Sequence, residues 1–171
     1  MTATATHDRF LALVEEHKGI LYKVANAYCP NREDRHDVIQ EIVVHLWRSF
    51  DRFDGRCRFS TWMYRIAVNV AISFYRSERT HLQATVPIED FVFDLAGADR
   101  LLEEAGDDLR RLHQLINQMD ELSRALILLY LDGYSHEEMA ATLGITSTNV
   151  ATKINRIKQK LQREFDAPEK A

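Results

Sequence analysis

Apolar residues in this chain recur at steps of three, four and seven almost from end to end, and no stretch alternates with a period of two. That periodicity restricts the fold to amphipathic helices, each burying one stripe and wetting the other. Phe10, Val14, Leu21, Val24 and Tyr28 define a first helix, which stops at Cys29-Pro30-Asn31 because proline cannot continue it. Ile39, Ile42, Val43, Leu46, Trp47 and Phe50 define a second, ended by the turn-rich run Asp51-Arg52-Phe53-Asp54-Gly55. A third is expected to start near Ser60 or Thr61, both good caps, to bury Met63, Ile66, Ala67, Val70 and Phe74, and to run to about Arg79. Residues 81–106 break the pattern with Pro87, Gly97 and Gly106 among scattered acids. Helical spacing resumes with Leu109, Leu112, Leu115 and Ile116, then Leu122, Leu126, Leu129 and Tyr130. The expected fold is all-α: two small helical domains, 1–80 and 107–171, joined by a flexible acidic linker over 81–106. Bundles this small sit near the lower limit of what one core can stabilise.

The chain has 171 residues and a net charge of −4, which disfavours a nucleic-acid partner until the charge is divided along it. Residues 1–80 carry a net +2, residues 81–121 a net −7 and residues 122–171 a net +1. Between 145 and 163 stand Lys153, Arg156, Lys158, Lys160 and Arg163 without one acid. Screening makes the field felt by a phosphate a local one, so clustering outweighs the total. No apolar run reaches the ~18 residues of a membrane span, and Met1–Phe10 lacks the apolar segment of a secretion signal. A cytoplasmic protein without membrane insertion is expected. Cys29 and Cys57 are too few for a disulfide framework or a zinc site, and are expected to be small buried hydrophobes, with redox sensing as the alternative.

The C-terminal region reads as a helix-turn-helix. Asp132-Gly133-Tyr134 ends one helix, and Ser135 with Glu138 three residues on makes a capping box for the next. Met139, Ala140 and Leu143 face inward, Gly144 allows the turn, and Thr146 or Ser147 caps a longer helix with core positions Val150, Ile154, Ile157 and Leu161. In this motif the second helix enters the major groove of DNA. Ala151, Thr152, Asn155 and Arg156 face away from the core, flanked by Lys153, Lys158 and Lys160. Arg156 can pair with guanine and Asn155 with adenine, whereas Lys158 and Lys160 suit phosphates.

Two features of the N-terminal half stand apart from its core. Asp37, Gln40 and Glu41 share the polar face of the second helix. Trp62, Arg65, Asn69 and Arg76 lie on one face of the third, in a stretch from Arg56 to Arg79 that holds five Arg and one Glu. Rings interleaved with arginines suit single-stranded nucleic acid. A solvated acidic face and a core tryptophan are the plainer alternatives.

Three stretches together resemble the extracytoplasmic-function sigma factors of bacterial RNA polymerase: Asp37-Val38-Ile39-Gln40-Glu41, Phe59-Ser60-Thr61-Trp62-Met63-Tyr64-Arg65-Ile66-Ala67-Val68-Asn69, and Asp132-Gly133-Tyr134-Ser135-His136-Glu137-Glu138-Met139-Ala140. The resemblance spans roughly residues 8–165. It implies a non-enzymatic initiation factor that binds core RNA polymerase and promoter DNA, with an anti-sigma factor as a further partner and no cofactor or metal. Asp37, Gln40 and Glu41 would dock on the polymerase clamp helices. The helix from Trp62 to Arg79 and the loop Asp51–Phe59 would read the −10 element, with Asn69 at a base flipped out of the duplex. The helix-turn-helix would read the −35 element, and the linker would thread toward the polymerase's nucleic-acid channels. The chain departs from the family where Met119-Asp120 replaces a frequent Leu-Pro, and where Ala151 replaces a frequent basic residue.

Two other classes fit less of the sequence. A dimeric helix-turn-helix regulator has no need of the Asp37/Gln40/Glu41 and Trp62/Arg65/Asn69 faces. An enzyme would need more than the dipeptides His7-Asp8 and His36-Asp37, because the remaining histidines follow no ligand spacing and no phosphate-binding glycine loop is present.

Overall fold

The computed structural model describes residues 3–76, 97, 100 and 103–167. They form seven long helices, and no strand occurs among them. The chain divides into two units, Met1–Ala98 and Asp99–Ala171. Of the stretch read as a linker, 81–106, only residues 97, 100 and 103–106 are described, and residues 77–79, where the third helix was expected to end, lie outside the described residues.

The first unit is built from α1 (Ala3–Tyr28), α2 (Arg32–Ser49) and α3 (Phe59–Arg76), each packed on the other two. The apolar stripes expected from the sequence meet in its core: Phe10, Val14, Leu21, Val24 and Tyr28 from α1, Ile39, Ile42, Val43 and Leu46 from α2, Met63, Ala67 and Val70 from α3. Ile66 and Phe74, expected inside, are only half-buried. Asn31 separates α1 from α2 and caps α2, its side chain accepting the N–H of Glu33 at 2.9 Å. Arg35 donates to Asn26 Oδ1 at 2.9 Å, tying α2 back to α1.

A short 3-10 turn, Phe50–Arg52, follows α2. The connection to α3 then turns at Gly55, where φ is +74°, a backbone region that costs glycine little. Asp54 steadies it, accepting the N–H of Arg56 at 3.1 Å and pairing with its guanidinium at 3.0 Å. Helix α3 starts at Phe59, earlier than the sequence suggested. Arg58 gives its carbonyl to the Trp62 N–H at 3.1 Å, so neither Ser60 nor Thr61 is the cap.

The second unit comprises α4 (Asp107–Asn117), α5 (Glu121–Leu131), α6 (His136–Leu143) and α7 (Ser147–Asp166). Helix α7 packs on α5 and α6 through Val150, Ile154 and Ile157. The capping box is present: Ser135 Oγ accepts from the Glu138 N–H at 3.1 Å, and Glu138 accepts from the Ser135 N–H at 2.8 Å. Gly144 ends α6 in the left-handed region at φ +69°, and Thr146, not Ser147, caps α7. Arg124 occupies the end of α4, donating to the carbonyls of Asn117 at 2.7 Å and Met119 at 2.8 Å, which a helix terminus would otherwise leave without partners.

Further expectations about burial fail: Leu143 and Leu161, assigned to the core, are only half-buried. Of the four apolar residues assigned to the inner face of α4, only Ile116 is buried, and Leu109 is 48% exposed. Helix α4 makes few contacts, chiefly with α5, so its stripe is only partly covered. Cys29 is buried, as expected, but Cys57 is exposed because it sits in the connection between the 3-10 turn and α3 rather than on a helix. A thiol-specific reagent is therefore expected to react with one thiol per native chain at once and with the second only on unfolding. Rapid labelling of both in native buffer would contradict the buried Cys29.

Candidate nucleic-acid interfaces

Helix α3 separates its two faces cleanly. Met63, Tyr64, Ala67, Val68, Val70 and Ala71 are buried, while Arg65, Asn69 and Arg76 are exposed on one side. Trp62 belongs to both descriptions. It is half-buried, and its ring packs against Phe53 at 5.1 Å, Phe59 at 5.5 Å and Phe50 at 6.4 Å between centroids. Phe50, Phe53 and Phe59 contact one another too, and Phe50 continues the chain of rings to Phe10 at 5.1 Å. Offset and edge-on rings of this kind add about 0.5–1.5 kcal/mol per pair beyond the area they bury. The cluster thus anchors both ends of the Phe53–Phe59 connection to the core and leaves part of Trp62 at the surface beside Arg65 and Asn69.

On α2, Asp37, Gln40 and Glu41 are all half-buried, not freely solvated. Glu41, His45 and Ser49, one turn apart from each other, form one wall of a groove of about 240 Å³ whose other wall is Ile66, Asn69, Val70 and Ser73 of α3. The structure therefore brings Glu41 and Asn69, which the sequence placed in separate sites, to one cavity. The participation of Ser49, His45 and Ser73 was missed, since residues on two helices far apart in sequence carry no spacing signal. The groove thus combines the apolar Ile66 and Val70 with the polar Glu41, His45, Ser49, Asn69 and Ser73.

In the second unit the exposed side of α7 presents Thr152, Asn155, Arg156, Lys158 and Lys160, with Ala151 and Lys153 half-buried. The cations fall on two flanks. Lys153, Arg156 and Lys160 line a groove of about 260 Å³ against the α4–α5 corner, where Gln118, Asp120 and Ser123 form the opposite side. Lys158 lies on the other flank, its ammonium 5.4 Å from the Tyr130 ring centroid. The Thr152 hydroxyl donates to the Thr148 carbonyl at 3.0 Å, which leaves it lone pairs and a methyl group but no free proton.

Asp120 supplies the start of α5. It caps α5, accepting from the Ser123 N–H at 3.0 Å and the Ser123 hydroxyl at 2.6 Å. Burial pushes its carboxyl up, but those hydrogen bonds and the charge of Lys153 outweigh burial and hold it below the usual range.

The two His-Asp dipeptides lie in separate surroundings. His7 lies 3.9 Å from Asp8 with its ring edge-on to Trp47 at 5.5 Å, and His36 touches Gln40 at 3.4 Å. Among the described residues no three His, Cys, Asp or Glu assemble to hold a metal ion, and no helix is long and apolar enough to cross a membrane.

Comparison with known proteins agrees with this geometry. Residues 13–81 match Sigma-70 region 2, and residues 109–161 match Sigma-70, region 4. The chain is 30% identical over 157 residues to RNA polymerase sigma factor NccH of Alcaligenes xylosoxydans xylosoxydans, covering 89% of this chain and 84% of that one. It is 28% identical over 167 residues to the ECF sigma factor SigW of Bacillus subtilis (92% and 89% covered). A solved structure of CnrH in complex with the cytosolic domain of CnrY is 29% identical, covers 95% of this chain and 91% of its own, and superposes with a TM-score of 0.68. The chain belongs to the ECF branch of the RNA polymerase sigma factors. Its function is that of the family: it is an initiation factor that directs core RNA polymerase to specific promoters.

The cap at Asp120 yields a pH dependence. A carboxyl held low in the fold stabilises it above its unfolded pKa of about 3.9, and that contribution is lost as pH falls through the lower folded value. Asp120→Ala is expected to weaken α5 by about 0.5–2 kcal/mol near neutral pH. The difference from wild type should shrink steadily as pH falls below about 4, as read by amide exchange at the start of α5. A gap that stays constant down to the acid limit would rule out the ionised cap.

Proposed function

We propose that the first unit docks on core polymerase and reads the −10 element, that the second reads the −35 element, and that residues 81–106 connect them. Asp37, Gln40 and Glu41 make the polar contacts to the polymerase clamp. Trp62, Arg65, Asn69 and Arg76 hold the opened −10 strand, the ring by stacking and the arginines at phosphates. The observation that carries this reading is the α2–α3 groove with Asn69 on its wall, beside the partly exposed Trp62. A base rotated out of the duplex needs a shaped recess to offset the loss of stacking, and this recess lies on the face where the strand would run.

In the second unit α7 enters the major groove. Its outermost residues, Thr152 and Asn155, and the long side chain of Arg156 reach base edges, with Ala151 offering a small apolar contact. Lys153 and Lys160 on one flank and Lys158 on the other meet the phosphates of the two strands. Each reader alone makes a small contact. Polymerase fixes their spacing, so that the second contact forms at high effective concentration once the first is made. The chain then needs no catalytic step of its own and acts where the polymerase is, in the cytoplasm. CnrH is solved with the cytosolic domain of CnrY bound, and on that likeness an anti-sigma partner is proposed for this chain.

Run-off transcription with purified core polymerase tests the assignment. Arg156→Ala is expected to cost about 1–3 kcal/mol and to relax selectivity at one −35 position, whereas Lys160→Ala weakens binding on every sequence and lowers the salt dependence. Equal losses on all sequences for both variants would remove Arg156 from base reading.

A further inference from the structure

Lys158 differs from the other cations of α7 in how it is held. Its side chain is exposed, yet its ammonium lies 5.4 Å from the centroid of the half-buried Tyr130 ring. Among the described residues no hydrogen bond or ion pair reaches Lys158, and that ring is its one partner. Both ends of the contact stand on anchored backbone. Ile154 and Ile157 are buried beneath Lys158 on α7. On α5, Leu128 and Leu129 are buried, and the Tyr130 carbonyl accepts the Gly133 N–H at 3.0 Å in the turn that ends the helix. A carboxylate in the place of the ring would hold the ammonium and cancel its charge. A ring face attracts the ammonium through its quadrupole and leaves the charge in place. An ammonium has three donors, and a ring covers only one side of it, so N–H groups remain for an oxygen on the other side.

We propose that Tyr130 is a positioning residue for promoter binding: its ring holds the Lys158 ammonium in advance where a DNA phosphate meets that flank of α7. The inference rests on the reading of α7 as the −35 helix and of Lys158 as a phosphate contact. Tyr130 itself touches no DNA. A lysine without such a partner gives up several rotatable bonds when it closes on a phosphate, and that lost freedom offsets much of the contact. A lysine already resting on a ring has lost part of that freedom before DNA arrives, so more of the attraction appears as affinity. Lys153, Arg156 and Lys160 line the groove on the other flank. The helix would then carry one cation set in place by the fold, opposite a flank whose long side chains adjust to the second strand.

The test uses holoenzyme assembled from core polymerase and the full chain, with equilibrium binding to a promoter duplex measured over a range of salt concentrations. Tyr130→Leu is expected to weaken binding about two- to fivefold, the worth of one exposed ammonium–ring contact. Tyr130→Phe, which keeps the ring face, stays close to wild type. Lys158→Ala weakens binding and lowers the salt slope by about one, as the loss of a single phosphate contact requires. In the Lys158→Ala background Tyr130→Leu has no further effect, because the ring then has nothing to position. A Tyr130→Leu loss of the same size with and without Lys158 overturns the proposal, since the ring would then serve only the fold. So does tighter binding by Tyr130→Leu, which would mean that the ring withholds the ammonium from DNA, and so does a Tyr130→Phe loss equal to that of Tyr130→Leu. If Lys158→Ala changes neither affinity nor salt slope, Lys158 meets no phosphate, and it is the reading beneath the proposal that fails and takes the proposal with it.

Discussion

Neither unit is large enough to enclose a helix on all sides, and every other feature follows from that constraint. Three helices share one core in the first unit, so each of them has a buried stripe and a free one. Met63, Ala67 and Val70 turn inward on α3, and the same turns of helix carry Arg65 and Asn69 outward. Val150, Ile154 and Ile157 do for α7 what that inner stripe does for α3. Function is thus mounted on the outer faces of elements whose inner faces hold the fold. Under the proposed roles, the side chains that read DNA inherit the rigidity of the core without contributing to it.

Charge is arranged with the same economy of position. A net charge of −4 for the chain says little about α7, whose cations project on two flanks of a helix with no acid among residues 145–163. Asp120, which shares the groove with Lys153, Arg156 and Lys160, is already committed to capping α5, and the charge of Lys153 acts on it. Lys153 is also half-buried. Its side chain is consequently more confined than that of the exposed Lys160, while the ammonium of Lys158 rests over the Tyr130 ring.

The stripes, the capping box at Ser135 and the turn at Gly144 were legible because each is a local rule: a period of 3.6, an i to i+3 reciprocal bond, a left-handed residue after a helix. What escaped was set by neighbours distant in sequence. Leu109 obeys the helical period, yet α4 finds too few partners to cover it. Cys57 reads as a small hydrophobe, yet its connection loops away from the core. Ser60 and Thr61 are good caps, but the aromatic cluster pulls Phe59 into the core and the helix begins with it. Trp62 fits neither alternative weighed from sequence, being packed on one side and open on the other. The groove between α2 and α3 had no signature at all, because Glu41 and Asn69 come from different helices.

That groove bears on how docking and base capture relate. Helix α2 is held from beneath by Ile39, Ile42 and Leu46, all fully buried. It cannot roll to favour one partner over another without opening the core. Under the proposed roles its polar edge faces polymerase at Asp37 and Gln40 and the extruded base at His45 and Ser49, with Glu41 between them. Because the helix moves as one body, a polymerase contact that fixes Asp37 and Gln40 also fixes the wall against which the base must fit. Docking then reduces the orientational freedom lost when the strand opens, and no conformational switch within the unit is needed to link the two events.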